Sequence, residues 1–132
     1  MHLIKIVKIP TPVKPKVFCH SPPTNIRRLD MKPIVTAELE IVALGTGSTS
    51  MSAHISDAVR AIERSGVKYQ LTPMGTVLEA SSLEDIFRAI RSAHEALVKK
   101  GVNRVVTHIT IDDRRDRPKG MEEKVEAVRS KL

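Results

Sequence analysis

From Ile34 onward, apolar and polar residues alternate. Val35, Ala37, Leu39, Ile41 and Ala43 share one side, and Thr36, Glu38 and Glu40 share the other. A period of two marks a half-buried strand. It runs into a small polar loop, Leu44-Gly45-Thr46-Gly47-Ser48-Thr49-Ser50. The period then changes: Ile55, Ala58, Val59 and Ile62 recur at i, i+3, i+4 and i+7, which predicts an amphipathic helix. Ser50 or Ser52 is placed to cap it, and Gly66 to end it. Val67, Tyr69 and Leu71 alternate with Lys68, Gln70 and Thr72 in a second strand. Pro73-Met74-Gly75 is a turn signal, and Thr76 to Ala80 reads as the third strand.

Ser82 with Asp85 three residues on matches a capping box, with Asp in place of the usual Glu. The helix behind it has the stripe Leu83, Ile86, Phe87, Ile90, Leu97 and Val98, closed by Gly101. Val105, Thr107, Ile109 and Ile111 then alternate with Val106, His108 and Thr110 in a fourth strand. A charged exit follows, Asp112 to Arg117. Pro118 suits a first helical turn, and Met121, Val125 and Val128 predict a last short amphipathic helix.

The order βαββαβ is two interleaved split βαβ units, the signature of an α+β, ferredoxin-like sandwich. Four antiparallel strands carry two helices on one face, with an extra helix at the C-terminus. The other face is bare unless another subunit or that last helix covers it. An oligomer is therefore expected.

Composition changes this picture mainly at the N-terminus. Of the 132 residues, 1–32 form a Pro-rich basic extension, expected to be extended or disordered, and 33–132 form the domain. Five of the eight prolines lie in the extension. Met31, at its end, is a candidate natural start; a genuine tail is the alternative. The formal charge of +7 belongs mostly to this segment: residues 1–30 hold six Lys/Arg and one acid, and the remainder holds sixteen bases against fourteen acids. The basic balance thus describes a tail rather than a polyanion-steering domain.

A nucleic-acid role loses its second support in the strands. An RNA-binding sheet stacks bases on aromatics, whereas Phe18, Tyr69 and Phe87 are all the aromatics there are. The single cysteine, Cys19, permits neither an intrachain disulfide nor a Cys-based metal site and fits a reducing, cytoplasmic setting. No apolar run approaches the length needed to span a membrane, and the N-terminal apolar stretch is too short and interrupted for a secretory signal.

Candidate chemistry centres on Glu79, the one carboxylate in the strand Thr76-Val77-Leu78-Glu79-Ala80. Either it lies on a wet face or it is held for a ligand. A carboxylate accepts paired N–H donors from an aminopyrimidine edge, and partial burial favours a cationic ligand. The Gly45–Ser50 loop precedes a helix N-terminus and could meet an anion or polar ligand. It has no Walker spacing and no lysine, and a plain connection is the commoner explanation. His54, in the first turn of the first helix, is the histidine best placed for a site; His94 falls on an apolar stripe. No metal is expected, because none of the three domain histidines, His54, His94 and His108, is at ligand spacing to another His or Cys, and the aspartates at 112, 113 and 116 are interleaved with arginines. No catalytic residue is expected either. There is no nucleophile elbow and no convincing acid pair, and no cofactor is called for.

The first strand with LGTGSTS, then SGVKYQLTPMGTVLEAS, then NRVVTHITIDDRRD, resembles the small thiamine-binding protein family of the YkoF-like superfamily, over about residues 33–131. The resemblance implies a ferredoxin-like protein that assembles through its sheets into a homodimer or homotetramer. It implies non-enzymatic binding of thiamine or its hydroxymethylpyrimidine part. By motif, Glu79 receives the aminopyrimidine, Thr76, Met74 and Thr72 shape the pocket, and Ser48, Thr49 and Ser50 line it from the first loop. Two other readings stay open: a regulatory or structural interaction module whose sheet serves only assembly, and a small acyl phosphate hydrolase. The hydrolase would need an arginine–asparagine pair in the first-strand loop, which is not evident.

Overall fold

In a computed structural model, residues 32–132 are described. The expectations for the extension and for Met31 as a start fall outside them. The elements are β1 (Val35–Leu44), α1 (Ser52–Arg64), β2 (Lys68–Leu71), β3 (Thr76–Ala80), α2 (Leu83–Lys99), β4 (Arg104–Asp113) and α3 (Met121–Arg129). The sheet order is β2-β3-β1-β4, every neighbouring pair antiparallel. This is the ferredoxin-like α+β sandwich with a C-terminal helix that the pattern predicts.

The alternation in β1 decides which face is the core. Val35, Ala37, Leu39, Ile41 and Ala43 are all buried beneath α1 and α2. Leu78 joins them from β3, and Ile62, Ile86 and Leu97 from the helices, each fully buried. Burying such a side chain stabilises by roughly 1.5–3 kcal/mol, so this face holds the domain together. Gly66 and Gly101 follow the two helices at φ +76° and +86°, left-handed conformations that favour glycine and let the chain turn back to the sheet.

Several local expectations need correction. Neither Ser50 nor Ser52 caps α1. Met51 holds the cap position without a side-chain bond, because Ser52 is already the first helical residue and Ser50 pairs with its hydroxyl at 3.3 Å. The buried stripe of α2 is Ile86, Ala89, Ile90, Ala93 and Leu97, whereas Leu83, Phe87 and Val98 are exposed. Small alanines allow α2 to lie close to the sheet and α1, which turns the larger residues outward. The Ser82 cap stands: the Asp85 N–H donates to Ser82 Oγ at 3.1 Å. His94 is half-buried and shares a 2.7 Å hydrogen bond with Thr107 on β4.

Helix α3 begins at Met121 rather than at Pro118, because Gly120 is still extended at ψ 168°. It covers one end of the second sheet face, over Thr36 and Glu79. Thr36 is buried by this contact although its parity places it away from the core.

Candidate functional site

In β3, Thr76, Leu78 and Ala80 pair with Leu39, Ala37 and Val35, so they face the helical core, while Glu79 faces the other way, opposite Thr36 and Lys68. Glu79 is therefore not a strand residue left to water. Its side chain is 17% exposed. Oε2 accepts the Met121 N–H at 2.8 Å, at the N-terminus of α3, where a carboxylate offsets the exposed amides and the positive end of the helix dipole. Oε1 is 3.5 Å from the Lys68 amine, which also donates to Glu122 at 3.0 Å. The Glu122 hydrogen bond is the main cause holding Lys68 above the usual lysine range, with the charge of Glu79 adding to it.

The close approach of α3 depends on Gly120. A Cβ built there would sit 2.7 Å from Glu79 Oε2, inside any real carbon–oxygen contact. The helix is tied down a second time by Lys124, whose amine donates to Thr36 Oγ1 and to Asp112 Oδ2, the latter at 2.7 Å.

Glu79 also lines a cleft of about 450 Å³ at this end of the sheet, where β2 enters and β3 leaves. The cleft wraps from the α3 side to the start of α2, and its polar lining includes Lys68, Ser81, Asp85 and Arg88. Its volume lies within the range of small-ligand clefts, roughly 300–1,000 Å³. Asp85 is fixed like Glu79: Oδ2 accepts the Ser82 hydroxyl at 2.7 Å, and Oδ1 pairs with Arg88 at 2.7 Å. Lys68, Asp85 and Arg88 were not among the sequence candidates. The signals for them were the i, i+3 spacing of Asp85 and Arg88 after a cap, and the shared parity of Lys68 and Gln70.

The other sequence candidates lie elsewhere. Thr76 is buried on the core side, three residues and roughly 10 Å along the strand from Glu79. Thr72 spends its hydroxyl inside the hairpin, donating to the Gly75 carbonyl at 2.8 Å and accepting the Gly75 N–H at 3.1 Å. Met74 is 78% exposed at the hairpin tip. Ser48, Thr49 and Ser50 are exposed in the loop after Leu44. Leu44 is eight residues along β1 from Thr36, roughly 26 Å. Ser48 Oγ accepts the Ser50 N–H at 3.1 Å, so the loop bonds to itself. His54 is half-buried in the first turn of α1 beside that loop. One chain brings Glu79 to the cleft and leaves the other candidates toward the opposite end of the sheet.

Among the described residues, no group of three or more His, Cys, Asp or Glu is placed to hold a metal ion, and no helix is long and apolar enough to cross a membrane.

Comparison with known proteins fits this architecture. The profile of a family described as "Thiamine-binding protein" matches residues 37–129, and the chain belongs to that family. The UPF0045 protein of Methanothermobacter thermautotrophicus is 44% identical over 99 residues, covering 75% of this chain and 100% of that one. The UPF0045 protein YqgV of Bacillus subtilis is 42% identical over 73% of this chain and 95% of its own length. Among solved structures, hypothetical protein MJ1052 of Methanocaldococcus jannaschii superimposes with a TM-score of 0.66 at 35% identity, over 74% of this chain and 97% of that one. A Thermotoga maritima protein, for which a role in thiamine biosynthesis or salvage has been suggested, shares the fold with a TM-score of 0.60 at 24% identity, over 73% of this chain and 99% of that one.

Proposed function

We propose that this protein binds thiamine or a related hydroxymethylpyrimidine compound, without chemical turnover, at the cleft that Glu79 lines. Membership of a family named for thiamine binding supports the ligand class. The observation that carries the site is the state of Glu79: one oxygen is fixed by the Met121 amide, and the other, among the described residues, meets only an exposed lysine at the long distance of 3.5 Å. A cationic ligand with an exocyclic amine could take over that second oxygen, with a charge-assisted hydrogen bond.

The protein is further proposed to act as a homo-oligomer in the cytoplasm. Strand β4 is a ten-residue sheet edge, and such edges are usually covered. Ile109 and Ile111 are exposed on the side of β4 that meets α2, and Leu83 and Phe87 are exposed on α2 itself. The polar loop residues Ser48, Thr49 and Ser50, with His54 and the Thr72–Thr76 hairpin, remain a second candidate region for ligand contact.

Glu79→Gln tests the reading. Glutamine still offers an oxygen to the Met121 amide, so the fold and assembly should persist. Loss of one charge-assisted hydrogen bond, about 1.5–3 kcal/mol, should weaken thiamine binding about ten- to a hundredfold by titration calorimetry. Unchanged affinity removes Glu79 from the site. No heat from thiamine or hydroxymethylpyrimidine with the native protein would favour the assembly-only module.

A further inference from the structure

The two carboxylates of the cleft are built alike. Each has one oxygen anchored to the frame of the fold: Glu79 Oε2 by the Met121 N–H, and Asp85 Oδ2 by the Ser82 hydroxyl. Each turns its other oxygen to a cation, Lys68 for Glu79 and Arg88 for Asp85. The order from inside to outside is also the same. The carboxylate side chains are 17% and 29% exposed, whereas Lys68 and Arg88 are 45% and 57% exposed. Anions therefore sit inside and cations at the rim, on both walls of one cleft.

An inner carboxylate anchored on one side only, and covered on the other by a long solvated side chain, is suited to exchange. Exposed ion pairs are weak, so an incoming cation displaces the rim side chain at small cost. The displaced arginine then stands free at the mouth, and the lysine keeps only its exposed partner Glu122. Arginine presents several N–H donors to one phosphate, and lysine adds a point charge. A ligand with a positive end alone would leave Arg88 unpaired and Lys68 on Glu122 alone. A ligand that combines an amine and a ring cation with an anionic arm pairs all four groups.

Building on the proposed thiamine-class site, we propose that the cleft is made for a phosphate ester of that class: the exocyclic amine replaces Lys68 on Glu79, the ring cation replaces Arg88 on Asp85, and the released Lys68 and Arg88 bind the phosphate. Selection between the free alcohol and its ester then resides in the rim, not in Glu79.

Titration calorimetry on the full chain with thiamine and thiamine monophosphate, repeated on the Lys68→Gln/Arg88→Gln double variant, tests this. Both positions are largely exposed, and circular dichroism checks that the variant is folded. The native protein should bind the monophosphate about tenfold more tightly than thiamine, with the preference shrinking as salt is raised. The double variant should lose the preference and bind thiamine itself more tightly, because the inner carboxylates no longer begin paired. If thiamine binds but the monophosphate binds no better, or if the preference survives in the variant, the phosphate proposal falls and the thiamine reading stands. If neither compound binds, both fall.

Discussion

The two faces of this sheet carry helices by different means. Under α1 and α2, Ile62, Leu78, Ile86 and Leu97 are fully buried against the apolar side of β1. Under α3, Met121 is the only residue of the helix that is buried; Val125 and Val128 remain exposed. Polar contacts do the rest: the Met121 amide on Glu79, Lys68 on Glu122, and Lys124 on Thr36 and Asp112. Apolar burial is insensitive to salt and pH, whereas exposed ion pairs are screened and titrate. The first face thus sets global stability. The second is expected at the low end of the local stability range, which is where ligand-binding elements are commonly found.

The largest effect should come from the first face. Leu78→Ala removes a fully buried side chain packed between sheet and helices. Large-to-small core changes of this kind cost about 2–5 kcal/mol. Urea denaturation should show that loss in the midpoint with little change in slope. A loss below about 1 kcal/mol would mean that the core face does not dominate.

Gly120→Ala probes the second face. The added Cβ would meet Glu79 Oε2 at 2.7 Å, so either the carboxylate or the start of α3 must move, and the Met121–Glu79 bond is lost. Alanine is also a poor cap residue. A cost of about 1 kcal/mol is expected, confined to one region. Amide hydrogen exchange should speed up in α3 while α1 and α2 keep their native protection. Uniform acceleration across all three helices would show that α3 belongs to the same cooperative unit as the core.

The core face was legible in the sequence because it rests on local periodicity. The alternation in β1 and β4 marked the strands, in β1 it also marked the buried side, and the Ser82 cap placed the start of α2. Within α2 the burial of Ala89 and Ala93 was missed, since a stripe read by side-chain size favours Leu83, Phe87 and Val98. The site was legible only in part. Glu79 stood out as a lone acid in an apolar strand, but Met121 is 42 residues away in sequence, and no local pattern announces that pairing. Thr76 could have been separated from Glu79 by parity alone, because residues three apart in a strand face opposite sides. The resemblance carried the whole motif as one pocket, whereas the strand geometry divides it between two ends of the sheet.

The smallest effect concerns the chain that leads from β4 to α3. Arg114 grips Asp116 with two hydrogen bonds, 2.8 and 2.9 Å, and Arg115 grips Asp113 at 2.7 Å. The Arg114 hydrogen bonds are the main cause holding the Asp116 carboxyl down at about 2, from an ordinary 3.8. A carboxyl whose folded value is depressed lends its stability above the unfolded value and loses it as pH falls through the folded one. The contribution of this pair is therefore full above about pH 4 and disappears toward pH 2. The pair is exposed, so solvent screening keeps it small, and the core face should not respond to it. Carboxyl-carbon NMR should find the Asp116 midpoint near 2, and in an Arg114→Gln variant it should return toward the ordinary value. A native midpoint near 3.8 would mean that Arg114 does not hold this turn in solution, and that α3 is joined to β4 by a looser connection than the one described.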